Sequence, residues 1–218
     1  QQALDIRFSG GTGGTTYSQL GQGGTEAAGN HDGTTTINSA RDIVFTAGGL
    51  TGDYAQLGQG GFGSPGNHSG NIEITHGGDL ILTGMDVTDQ YVIIGHGDQP
   101  GDSDAGNSVL GHVTVRTGGN TTVTNGFIGH LLDADGDSNT GDILVTAGGD
   151  ITLSNHIASG SYDSPDDYTL LAEGDIRFNT SLQNRNATSG DINIAAGWDG
   201  MTAYNTAAFT AVDVNAAM

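Results

Sequence analysis

One phrase recurs at a fixed phase. Tyr17-Ser-Gln-Leu-Gly-Gln-Gly-Gly24, Tyr54-Ala-Gln-Leu-Gly-Gln-Gly-Gly61 and Tyr91-Val-Ile-Ile-Gly-His-Gly-Asp98 align without gaps, their tyrosines 37 residues apart twice over. Weaker copies follow at Phe127-Ile-Gly-His130, whose Gly129 lies 34 residues after Gly95, and at His156-Ile-Ala-Ser-Gly160. Between them runs a strand-turn-strand unit: Asn71-Ile-Glu-Ile-Thr-His-Gly-Gly-Asp-Leu-Ile-Leu82, His112-Val-Thr-Val-Arg-Thr-Gly-Gly-Asn-Thr-Thr-Val123 and Asp142-Ile-Leu-Val-Thr-Ala-Gly-Gly-Asp-Ile-Thr-Leu153. Single halves stand at 42–49, 175–178 and 191–197. A spacing this regular excludes a chain of unrelated loops, because disorder has no reason to keep phase.

Within each unit apolar residues alternate, as in Ile72/Ile74, Leu80/Leu82, Val113/Val115, Ile143/Val145 and Ile151/Leu153. Period two over four or five residues, bounded by glycine, marks half-buried strands. No helical i, i+3, i+4 pattern persists, so helix content near zero is expected. A unit that cannot bury its own apolar face is stable only when stacked on copies of itself. These features predict an all-β right-handed parallel β-helix, a β-solenoid in which like residues pile into columns. A module of 37 residues reads as about two coils of ~18–20 residues, giving roughly eleven coils and a rod of about 50 Å at ~4.8 Å per rung. The Gly-Gly pairs are expected at sharp corners with positive φ. One domain is expected over 1–200, with 201–218 as a small, apolar tail or as one more strand, within the subunit or between subunits.

Glycine supplies 39 of 218 residues, yet only 3 prolines and no Gly-X-Y period occur, which excludes collagen. Five cations, all arginine, face 25 carboxylates for a net charge of −20. Such a surface cannot neutralise phosphates, so nucleic acid is excluded as a partner and anionic membranes are disfavoured. No apolar run is long enough to span a membrane. Cysteine is absent, which argues for a bacterial-type exported protein rather than a disulfide-stapled eukaryotic one. The chain opens without a basic leader, so a mature form or an excised piece is expected.

The Asp-Ile-x-Val-Thr-Ala-Gly-Gly-Asp-Ile-x-Leu and Tyr-x-x-Leu/Ile-Gly-His/Gln-Gly units together resemble the repeat regions of filamentous-haemagglutinin-type adhesins, over roughly residues 34–198. These are two-partner-secretion proteins of Gram-negative bacteria. The resemblance implies a cell-surface or extracellular β-helix serving adhesion or matrix formation, through a receptor or glycan on another cell. The conserved secretion domain of those proteins is not visible in this sequence.

Chemistry-bearing candidates are few. Asp133, Asp135 and Asp137 alternate in a turn-rich stretch, a spacing that suits a hard cation such as calcium, although Leu144 replaces the bidentate glutamate of an EF-hand loop. Asp98, Asp102 and Asp104 form a related loop one module earlier, while the analogous segment 61–70 has no acid. Solvated turn residues are the alternative reading for both. His96 and His130 fall where Gln22 and Gln59 stand in other copies, which reads as a polar ladder rather than a zinc site. Tyr162, Tyr168, Trp198 and Tyr204 are either a sugar platform or a cover for a fading core. Arg7 and Arg177 follow Asp-Ile and are expected to point outward. No catalytic constellation is recognisable, so an enzyme is not expected. A carbohydrate-active β-helix enzyme is a minor alternative, and a self-assembling extracellular fibre subunit is the main rival to an adhesin module.

Overall fold

The computed structural model describes residues 5–14, 16–85, 90–97, 108–130, 138–154, 167–179, 182 and 190–200. Twenty strands follow one another, and no helix occurs among the described residues. The first coil is β1 (Ile6–Ser9), β2 (Tyr17–Leu20), β3 (His31–Asp32) and β4 (Thr35–Ser39). The second repeats it as β5 (Ile43–Thr46), β6 (Tyr54–Leu57), β7 (His68–Ser69) and β8 (Ile72–His76). The third has β9 (Leu80–Thr83), β10 (Tyr91–Ile94), β11 (Ser108–Leu110) and β12 (Val113–Thr117). The fourth has β13 (Thr121–Thr124), β14 (Phe127–Ile128), β15 (Ser138–Thr140) and β16 (Ile143–Ala147). Then come β17 (Ile151–Ser154), β18 (Tyr168–Ala172), β19 (Ile176–Asn179) and β20 (Ile192–Ala196).

Every fourth strand of the regular coils pairs in parallel, giving four sheets. Sheet 1 stacks β1, β5, β9, β13, β17 and β19; sheet 2 stacks β2, β6, β10 and β14; sheet 3 stacks β3, β7, β11 and β15; sheet 4 stacks β4, β8, β12, β16, β18 and β20. The protein is a parallel β-solenoid. Tyr17 pairs with Tyr54, and Tyr54 with Tyr91, so the three tyrosines share one face. Their rings stack with centroids 4.9 Å apart in both steps.

This register revises the module. Residues 37 apart are hydrogen-bonded neighbours with no rung between them, so a module is one coil of four short strands rather than two coils. The estimate of about eleven coils halved a unit that is whole. Coil length also drifts: the step between sheet 1 partners is 37 residues at Asp42–Asp79, 41 at Asp79–Asn120, 30 at Asn120–Asp150 and 25 at Asp150–Asp175.

The main core lies between the inward faces of sheets 1, 2 and 4. Phe45, Leu82, Val123 and Leu153 form one column on sheet 1, and Ile74, Val115 and Val145 one on sheet 4, all buried. Each such side chain contributes about 1.5–3 kcal/mol by leaving water. Sheet 2 departs from the alternating rule: all four residues of β6 and of β10 are buried. Ala55, Leu57, Val92 and Ile94 face the main core. Tyr54, Tyr91, Ile93 and Phe127 face the other way and, with Phe62, make a second cluster. Over the first two coils the segments that follow β2 and β6 fold back over the outer face. A Cβ on Gly24 would lie 2.6 Å from the Tyr17 hydroxyl, and one on Gly61 2.7 Å from that of Tyr54.

Glycine is required at the end of each sheet 2 strand. Gly21 has φ +152° and Gly58 φ +146°, and a Cβ on either would stand 1.9 Å from the carbonyl oxygen one coil on. The Gly-Gly pairs divide: 23–24 and 60–61 take the expected positive φ, whereas those in the strand-turn-strand units differ from expectation. The pairs at 48–49, 77–78, 118–119 and 148–149 do not take positive φ. Glycine is needed there for space, since a Cβ on Gly78 would meet Asp42 Oδ1 at 2.2 Å and one on Gly149 would meet Asn120 Oδ1 at 2.3 Å.

Candidate functional site

Those two oxygens belong to a ladder that explains the recurrent Asp-Ile. At the corner into sheet 1, the Asp79 N–H donates to Asp42 Oδ1, that of Asn120 to Asp79, that of Asp150 to Asn120 and that of Asp175 to Asp150, at 2.7–2.9 Å. A second ladder enters sheet 4. The His112 N–H donates to Asn71 Oδ1, that of Asp142 to His112 Nδ1, that of Asp167 to Asp142 and that of Asp191 to Asp167. Much of the acidity is therefore structural: carboxylates satisfy corner N–H groups that sheet pairing leaves over. Arg7 and Arg177 are exposed, as expected. Arg177 pairs with Asp150 at 2.5 Å and also with Asp175. That hydrogen bond and charge hold the Asp150 carboxyl below its usual value and raise the guanidinium. Burial pushes the Asp53 carboxyl up, but donors from Thr16 and Leu50 outweigh it and the net shift is downward.

A third ladder occupies the Gln/His position. The Gln22 N–H donates to Gln59 Oε1 at 2.5 Å, the Gln59 N–H to His96 Nδ1 at 2.9 Å and the His96 N–H to His130 Nδ1 at 3.2 Å. The other nitrogen reaches across the coil to a carbonyl: Gln59 Nε2 to Gly33, His96 Nε2 to Gly70 and His130 Nε2 to Gly111. A carbonyl can only accept, so both histidines carry their proton on Nε2 and offer the Nδ1 lone pair to the backbone. Histidine here is a shape copy of glutamine, in line with the polar ladder read from the sequence. His31 and His68 form a separate stack with Nδ1 atoms 3.2 Å apart, and His68 Nε2 donates to the Ser64 carbonyl.

The outward face of sheet 4 changes along the stack and holds a large concavity. In the first two coils that face carries Thr36, Asn38, Glu73 and Thr75, all exposed. Further along, the register columns run Thr114–Leu144–Thr169 and Arg116–Thr146–Leu171. Thr169 and Leu171 point outward yet are buried. A cleft of about 750 Å³ lies over these columns, with Trp198 and Glu173 at one end and His112 and Asp142 among its polar walls. Trp198 is placed by its own N–H, which donates to the Ala172 carbonyl. Asp142 and Asp167, two of the carboxylates beside the cleft, each accept a ladder N–H from the next coil. Their first task is to hold the corner.

Of the residues singled out in the sequence, Asp98, Asp102 and Asp104, and likewise Asp133, Asp135 and Asp137, lie outside the described residues, as do Tyr162, Tyr204 and the tail 201–218. Among the described residues no cluster of three or more histidine or acidic side chains is arranged around a common point. Tyr168 is no platform: it points inward, buried, and its hydroxyl donates to the Ile128 carbonyl at 2.9 Å. Of the two that are described, Trp198 lines the cleft and Tyr168 does not. The signal for that cleft was present in the consecutive apolar residues Ile143-Leu144-Val145 and Leu170-Leu171, which break the alternation and put leucine outward. No family model, no curated protein and no solved structure matches the chain.

Proposed function

We propose that this protein is an extracellular structural and adhesive β-solenoid module of a bacterial surface protein, and that it attaches through the sheet 4 cleft to a glycan. One observation carries the reading. Inward and corner positions repeat from coil to coil, while the outward columns of sheet 4 turn from uniformly polar in the first two coils to a mixed aromatic, leucine and threonine surface over the later ones. A hydroxyl-rich chain fits that surface, with Trp198 offering a ring face and the threonines, Arg116 and Glu173 offering hydrogen bonds. A polyanion does not fit, because the net charge is −20.

A panel of neutral and acidic glycans tests this. Neutral glycans should be retained, and Trp198→Ala should reduce binding at least tenfold without lowering the melting temperature. Retention of acidic glycans alone, or neutral binding unaffected by the substitution, would rule the reading out. A self-assembling fibre is the second reading, favoured by the exposure of Tyr17 (47%) and Leu20 (42%) on β2, which pairs on one edge alone among the described strands. Electron microscopy separates the two: regular filaments of purified chain support the fibre, and short uniform rods support the module. The acidic loops around Asp98 and Asp133 remain proposed calcium ligands, to be checked by melting with and without chelator.

A further inference from the structure

Sheet 1 carries two outward columns that keep one chemistry over four consecutive rungs. The first runs Val44, Ile81, Thr122 and Thr152, paired in register from β5 to β17. The second, two residues further along each strand, runs Thr46, Thr83, Thr124 and Ser154 in the same register. Every member is β-branched or a serine, and all are exposed or partly exposed. Arg7 and Arg177 mark the two ends, Arg7 paired with Asp5 and Arg177 with Asp150. Between them the two columns hold no ionisable group and no aromatic ring, in a chain whose net charge is −20. The outward face of sheet 4 has no such stretch, because Glu73 and Arg116 interrupt it.

The hydroxyls of Thr46, Thr83, Thr122, Thr124 and Thr152 make no hydrogen bond to any described residue. In the same columns Ser154 is engaged, accepting from Asn179 Nδ2 at 3.0 Å. A hydroxyl cannot satisfy its column neighbour, because rungs sit about 4.8 Å apart. Threonine, valine and isoleucine are stiff at χ1, and the residues stacked above and below restrict them further. The face is therefore a fixed array, about 4.8 Å along the stack and about 6.6 Å along the strand, of hydroxyls set beside methyl groups. A ligand that fits every rung alike must repeat at those spacings, carry no charge and exchange hydrogen bonds with hydroxyls. The oxygen lattice of hexagonal ice meets all three conditions, repeating close to both spacings along perpendicular directions. We propose that the outward face of sheet 1 binds ice.

The methyl groups hold the water above them in cages, and the hydroxyls anchor those cages in register with the rungs. Water ordered in this way continues the lattice of a crystal that reaches it, so the rod adsorbs on its side. Little freedom is lost on adsorption, since the array is already rigid. A second copy laid on this face would share the rung spacing, but two chains of net charge −20 repel each other. Contact between two such faces would also shut the threonine hydroxyls away from water, at a cost unless each found a new partner. A sugar polymer would seek ring faces, which this face lacks and the sheet 4 cleft has in Trp198. Ice binding is thus independent of what that cleft holds.

Slow growth of ice from a dilute solution of the full chain, mixed with a bystander protein, tests this. The wild type should be enriched in the ice fraction at least tenfold over the bystander. The variant carrying Thr46→Lys and Thr124→Lys, two outward positions that are not adjacent rungs, should lose that enrichment and keep its melting temperature. Thr75→Lys, on the outward face of sheet 4, should partition as the wild type does. Exclusion of the wild type to the bystander's level, or equal enrichment of the double variant, overturns the proposal. A second measurement needs no variant: crystals grown in the chain's presence should develop flat facets, and round discs overturn it. Sedimentation near 4 °C covers the remaining occupant. The wild type should run as the double variant does; a dimer that the double variant dissolves would give the face to a second copy and overturn the proposal as well.

Discussion

The main core and the second cluster are built from the same coils by opposite means. In the main core, columns such as Phe45–Leu82–Val123–Leu153 are apolar at every rung and make no hydrogen bonds through their side chains. Across sheet 2, two of the outward columns mix chemistries: Gln19 and Gln56 give way to Ile93, and Gln59 gives way to His96. Gln19 Nε2 alone donates to the carbonyls of Gln22, Gly58 and Gly60. The first region gains its stability from area removed from water and tolerates any residue that fills the column. The second depends on satisfied polar groups, where losing one partner strands another. Volume protects one, and hydrogen-bond arithmetic protects the other.

That contrast can be broken most severely from the apolar side. Leu82→Ala leaves a cavity in a column with neighbours fixed above and below, and should cost about 2–5 kcal/mol in urea unfolding. A loss under 1 kcal/mol would mean that coils can close up axially. Gln59→Ala should cost about 1–3 kcal/mol, because the Gln22 N–H and the Gly33 carbonyl lose their partner. Gln59→His sharpens the point: stability at pH 7 should stay close to wild type, because a neutral imidazole accepts and donates there as His96 does one coil on. A Gln59→His protein as unstable as Gln59→Ala would show that the two side chains are not interchangeable here. Smallest is Asn120→Ala, which removes one exposed rung of the corner ladder at the 2.9 Å bond from the Asp150 N–H and should cost about 1 kcal/mol, read from the shift in denaturation midpoint.

Period and alternation carried most of the fold into view. Ile72/Ile74 and Val113/Val115 announce half-buried strands, and equal spacing announces stacking, since both are local properties of a chain with side chains on alternate faces. Which rung is the neighbour is not local. Two half-modules with similar strands look alike in sequence, and only hydrogen-bond pairing shows that Tyr17 meets Tyr54 directly. The second cluster was hidden for the same reason: Tyr54-Ala-Gln-Leu57 reads as a short half-polar strand, and nothing in it says that the segment with Gly61 and Phe62 covers its far side. The Gln/His ladder was legible because the two residues exchange at one slot. Its proton placement was not, since that depends on the carbonyls of Gly70 and Gly111 lying across the coil. Trp198 could be noted as an aromatic, but its cleft depends on the outward register of Leu144 and Leu171.

The whole-turn pairing of the early coils has a consequence for how such a chain can grow. Asp42 and Asp79 occupy equivalent corners, as do the tyrosines that follow them. A genetic duplication or deletion of 37 residues therefore returns the chain to the same corner, facing the same way, with every ladder intact. A gain or loss of a single residue inside a strand instead turns the buried face outward. Length can be edited in whole turns, and lineages carrying this scaffold should differ by such steps far more often than by fractions of one.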